Sequence, residues 1–154
     1  IVFGDWSSDV CSSDLDSAKF EDRWVRLKVN PYSPCVFTRG MQSLMVPVRH
    51  GEGKFVTDSE DTLSEISREN LITVQYADEH MNPCMDYPAN PNGSVSAIAG
   101  ICDRSGRIFG LMPHPEAYIH PTNHPAWTRL GNLPEQSEGM AIFENAVAFL
   151  RGIV

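Results

Sequence analysis

The stretch VSAIAGICDRSGRIFGLMPH, residues 95–114, leaves the backbone little choice. Two apolar runs, 95–103 and 107–114, are separated only by Arg104-Ser105-Gly106. A link that short, ending in glycine, predicts a hairpin: two adjacent strands folded back on each other. The second run stops at Pro113, and His114 follows at the strand's end. Whatever the chain does, this hairpin must sit in a sheet, and His114 must emerge where the sheet gives way to loop.

The remaining elements follow from periodicity. In RWVRLKV (23–29), Val25, Leu27 and Val29 alternate with Trp24, Arg26 and Lys28, which predicts a strand with one buried face. SLMVPVRH (43–50) is a short apolar run closing on the charged, glycine-rich corner RHGEGKF. Residues 57–70 predict a helix capped by Ser59, with acidic residues in the first turn and Leu63 and Ile66 facing inward. LITVQYA (71–77) predicts a buried strand, and 78–94 a long turn-rich connection. Residues 115–134 are polar and irregular, with four prolines. Tyr118 and Trp127 in that loop read equally as exposed aromatics or as packing groups. The last element, 136–154, predicts an amphipathic helix with Met140, Phe143, Val147 and Leu150 or Ile153 along its inner stripe. This order predicts an α/β sheet with its active loops at one edge. Two helices are thin cover for a sheet with two apolar faces.

Composition narrows the function classes. A length of 154 residues fits one domain. A net charge of −8 gives no basic footprint for nucleic acid or an anionic membrane. No apolar run approaches a membrane span, and no secretory signal pattern is present. The four cysteines, at 11, 35, 84 and 102, form no C-x-x-C pair and suit a reducing cytoplasm.

Four groups of residues could carry chemistry. In LMPHPEAY, His114 leaves the strand and Glu116 lies two residues on. A carboxylate at that spacing can hold an imidazole's tautomer and offset its positive charge, which is the orienting half of a nucleophile–His–acid triad. The same residues also fit a loop histidine between prolines. His114, Glu116, His120 and His124 together offer a zinc ligand set, but the prolines at 113, 115, 121 and 125 forbid a helix that would gather them, and no metal is expected. The corner His50, Gly51, Glu52, Gly53 lets backbone approach a ligand closely, or is simply a tight turn. Asn92-Gly93-Ser94 formally fits a glycosylation acceptor and reads better as a turn. A triad also needs a nucleophile on a strand–turn–helix elbow. Cys35, Cys84 and Cys102 lie on none, and no Gly-x-Ser-x-Gly occurs.

VPVRHGEGKF, YPANPNGSVSAIAGICDRSGRIFGLMPHPEAY and AIFENAVAFLR, in that order, resemble the class I (triad-type) glutamine amidotransferases of purine biosynthesis, the glutaminase subunits of phosphoribosylformylglycinamidine synthase. The resemblance runs from about residue 20 to the C-terminus. It implies the C-terminal portion of a flavodoxin-like α/β fold, roughly half of a full domain or a little more. It implies His114 and Glu116 as the histidine and glutamate of the triad. It implies His50, Gly51, Glu52 and Gly53 as a segment beside the glutamine pocket. The family's nucleophile lies in a Gly-x-Cys-x-Gly elbow, and this sequence has none. The implied activity is hydrolysis of glutamine to glutamate and ammonia, with the ammonia used by a synthetase subunit for ATP-dependent amination of formylglycinamide ribonucleotide. A small accessory subunit is a further implied partner. The glutaminase step needs no cofactor, and ATP and Mg belong to the synthetase.

The opening GDWSSDVCSSDL (4–15) has neither helical nor strand periodicity, and it matches one translated frame of a common short-read sequencing adapter. Residues 1–15 are therefore expected to be an assembly artefact, and 16–154 a truncated amidotransferase domain without its N-terminal strands and elbow. The chain alone is then expected to be inactive. The competing expectation is a non-catalytic binding or regulatory module of the same fold.

Overall fold

The computed structural model describes residues 19–152 and the backbone of Cys11–Ser12. The remainder of the expected adapter stretch lies outside the described residues. The elements are β1 (Cys11–Ser12), β2 (Glu21–Val29), β3 (Ser43–His50), β4 (Lys54–Phe55), α1 (Glu60–Arg68), β5 (Ile72–Ala77), β6 (Ile98–Cys102), β7 (Phe109–Leu111) and α2 (Glu138–Leu150). Short 3-10 turns include Val95–Ala97 and Pro115–Ala117. The mixed α/β class expected from the sequence is present.

Among the described residues the main sheet has the order β3-β2-β5-β6-β7, with every ladder antiparallel. β2 and β3 form its longest ladder, from Glu21 opposite His50 to Lys28 opposite Ser43. The alternation read in 23–29 holds, since Val25, Leu27 and Val29 are buried while Arg26 and Lys28 are exposed. Leu44, Val46, Val48, Val74, Tyr76 and Ala99 complete that core, and Ile142 covers it from α2. A second apolar cluster joins Ile66 of α1 to Phe55, Ile72, Ile98 and Cys102.

The predicted hairpin forms, with Cys102 opposite Phe109 and Gly100 opposite Leu111. Its first strand is shorter than the apolar run, because 95–97 coils into a 3-10 turn with Ser96 and Ala97 at positive φ. The reversal is held by Asp103, whose carboxylate accepts from the backbone N–H groups of Ser105, Arg107 and Ile108 at 2.9 Å each. α1 begins at the predicted cap, with the Ser59 hydroxyl accepting from Thr62 N–H at 3.1 Å.

The face of α2 differs from the sequence reading. Phe143, Val147 and Leu150 are exposed, at 43%, 46% and 83%, while Gly139 and Ile142 are buried. The reason is a close approach at the helix start. A Cβ on Gly139 would lie 2.2 Å from the Pro115 carbonyl oxygen and 2.4 Å from that of Tyr118. Only glycine lets the helix sit there, and that contact fixes the helix's rotation. With apolar residues on several sides of the helix, periodicity could not choose among them. Tyr118, beneath this contact, is 3% exposed and meets Trp24 edge-on with ring centroids 4.9 Å apart, whereas Trp127 is 44% exposed.

Candidate active site

The sheet curls so that the chain leaving one edge meets the other edge. Past β7, Met112 N–H still bonds Ala99 in β6, and two residues later His114 N–H donates to the Pro47 carbonyl of β3 at 2.8 Å. Met45, two residues before Pro47 on the same strand, donates its N–H to the Glu138 carboxylate at the start of α2. β3 therefore spends outward-facing backbone groups on the site turn and on the helix behind it. An edge strand covered in this way is not left open for pairing.

His114 precedes the 3-10 turn Pro115–Ala117, and Pro115 at its first position suits a helical start. The turn brings Glu116 back toward the ring. Glu116 Oε1 lies 2.7 Å from His114 Nδ1. A carboxylate at Nδ1 accepts the proton there, so Nε2 of the neutral ring carries the lone pair that faces away from the carboxylate. The dyad is partly open to solvent, with the side chains of His114 and Glu116 35% and 61% exposed. An imidazole so held can take a proton at Nε2 and give it back, with the carboxylate offsetting the charge.

The His50 ring sits beside the dyad, its centroid 5.8 Å from that of His114. It ends β3, opposite Glu21, which is 4% exposed and takes a hydrogen bond from Arg23 Nε at 2.8 Å. Burial lowers the His50 pKa and the neighbouring His114 acts in the same direction, while the Asn92 hydrogen bond and the Glu21 charge act against them. Gly51 and Glu52 are exposed at the corner, and Gly53 is buried with φ at +113°.

The structure thus brings His50, Gly53, His114 and Glu116 into one region. His120 and His124 serve other contacts. His120 Nδ1 is 2.8 Å from the Thr122 hydroxyl, and His124 accepts from Ala126 N–H at 3.1 Å and packs against the Trp24 ring. Among the described residues no group of three His, Cys, Asp or Glu side chains is placed to hold a metal ion. Cys35 and Cys102 are buried in the sheet core, on no elbow.

Asn92, read from the sequence as a turn residue, is fully buried and links this region together. Its side chain reaches His50, the Gly53 carbonyl and the Tyr76 hydroxyl. The available signal was Tyr76, a phenol at the end of an apolar run, whose hydroxyl had to find a buried partner.

A family-level comparison matches residues 8–150 to the CobB/CobQ-like glutamine amidotransferase domain. The chain belongs to this family. The match begins within the opening stretch expected to be adapter-derived. Curated relatives include phosphoribosylformylglycinamidine synthase subunit PurQ of Dehalococcoides mccartyi, 46% identical over 92% of this chain and 53% of that protein. The PurQ subunit of Methanococcus maripaludis is 44% identical over 85% of this chain and 51% of its own length. Among solved structures, that of PurLQS from Thermotoga maritima matches with a TM-score of 0.60 at 24% identity, over 90% of this chain and 51% of that one. That likeness concerns the fold. The amidotransferase chain spans about half the length of the PurQ relatives it matches. Among the described residues no helix is long and apolar enough to cross a membrane.

Proposed function

We propose that this amidotransferase chain supplies the histidine and glutamate of a glutaminase site, in a protein that hydrolyses glutamine to glutamate and ammonia. The observation that carries the reading is the 2.7 Å contact between His114 Nδ1 and Glu116 Oε1 at the sheet's end. In the proposed reaction a cysteine thiolate attacks the carboxamide carbon of glutamine. His114 gives its Nε2 proton to the departing ammonia, and Glu116 holds the ring and offsets its charge. Water then releases glutamate from the thioester.

The names of the PurQ relatives support a place beside a synthetase subunit. Ammonia passes to a synthetase subunit that aminates formylglycinamide ribonucleotide with ATP and Mg in its own site, with a small accessory subunit as a further partner. The glutaminase step itself uses no cofactor, and the assembly works in the cytoplasm. His50, Gly51, Glu52 and Gly53 form one wall of the glutamine pocket. The sequence contains no Gly-x-Cys-x-Gly elbow, so the chain alone is proposed to be inactive.

The test is ammonia release from glutamine by the complete protein of the source gene with its synthetase subunit, beside this chain alone. The complete protein should be active, the chain alone silent, and His114→Asn in the complete protein deeply impaired. Full activity of His114→Asn, or glutamine hydrolysis by the chain alone, would overturn the proposal.

A further inference from the structure

The Asn92 carboxamide settles a proton position that no single hydrogen bond reveals. Its side chain is fully buried. One end lies 2.9 Å from the Gly53 carbonyl oxygen and 3.1 Å from the Tyr76 hydroxyl, and the other lies 2.9 Å from His50 Nε2. A carbonyl oxygen only accepts, so the end facing Gly53 must be the amide NH2. The amide oxygen therefore faces His50. An amide oxygen also only accepts, so His50 Nε2 must carry a hydrogen. In a neutral ring the other nitrogen, Nδ1, is then without one.

We propose that Asn92 is a positioning residue of the glutaminase site, fixing His50 as the Nε2–H tautomer beside His114 and tying that ring to the backbone of Gly53. The inference rests on the glutaminase reading above. Its consequence is electrostatic. His114 must carry a proton to hand to ammonia, and a second imidazolium with its ring centroid 5.8 Å away would oppose that. Burial keeps His50 neutral, and an amide oxygen at Nε2 favours the charged ring far less than a carboxylate would. The charged and titratable groups acting on His50 are His114, from the turn after β7, and Glu21, from β2, whose charge is met by Arg23.

The experiment has two parts on the complete protein. The first is nitrogen-15 NMR of the His50 ring near neutral pH, where the Nε2–H tautomer is expected and an Nδ1–H tautomer would overturn the inference. The second is the pH profile of kcat/KM for glutamine in the Asn92→Asp variant. A carboxylate at Nε2 draws His50 into its charged form, so the limb reporting loss of the His114 proton should move to lower pH by about one unit. Asn92→Asp combined with His50→Gln should restore the limb, whereas a purely structural role for Asn92 would leave the two variants alike. An unmoved limb in Asn92→Asp would also overturn the inference. If the complete protein releases no ammonia, the glutaminase reading fails, and the NMR result still decides the tautomer.

Discussion

Nδ1 of His114 and Oε1 of Glu116 stand 2.7 Å apart across a single 3-10 turn, and the proline between them starts that turn. The carboxylate holds one tautomer of the ring. In the complete protein, Glu116→Gln should keep a polar group of the same size and lose the charge. Its kcat for glutamine hydrolysis should fall by about 10²–10⁴-fold with a much smaller change in KM. Steady-state ammonia assays check this.

Gly53→Ala should destabilise the fold. The residue has φ at +113°, and a Cβ there would lie 2.2 Å from Met112 Cε. Met112 Cε is the far end of a flexible side chain and can swing aside, so backbone strain dominates and should cost about 1–3 kcal/mol. Met112→Ala should therefore leave most of that cost in place, and the double-mutant cycle should show little coupling. Urea melts of the four proteins measure it.

Gly139→Ala poses a sharper contest, because alanine is the better helix former by about 1 kcal/mol. The contacts at 2.2 Å and 2.4 Å from two carbonyl oxygens outweigh that gain. The variant should be destabilised by about 1–3 kcal/mol. Because one of those carbonyls belongs to Pro115, between the dyad residues, kcat in the complete protein should fall as well. Thermal melts and ammonia assays on the same sample separate the two effects.

Asp103 gives an acid limb to stability. The Ser105 side chain first, and then the backbone N–H groups of Ile108, Ser105 and Arg107, hold its carboxyl down at about 2 against the opposing effect of burial. The folded value lies below the unfolded one, near 3.9. Its contribution is therefore complete above the unfolded value and is lost as pH falls toward the folded one. Asp103→Asn should be less stable near neutrality, and the difference from wild type should shrink as pH drops from about 4 to 2. Solvent screening keeps this small, and urea melts across that range detect it.

Legibility in the sequence followed the range of the forces involved. The capped start of α1 at Ser59 and the hairpin around Gly106 each rest on a local signal and formed where they were read, and the apolar run 43–50 became β3. His114 and Glu116 lie two residues apart, so their pairing was visible too. Glu21 and His50 are neighbours only because β2 and β3 pair in one register, and Asn92 reaches His50 across 42 residues of chain. The rotation of α2 was set by two carbonyl groups in another part of the fold. Such contacts leave no periodicity behind.

The bond from His114 N–H to the Pro47 carbonyl works like the clasp of a bracelet. The imidazole's location is inherited from how tightly the sheet closes, not from the stiffness of a loop. Any change that opens the curvature, even a truncation such as Val46→Ala deep under β3, would be felt first as slack at the His114 ring.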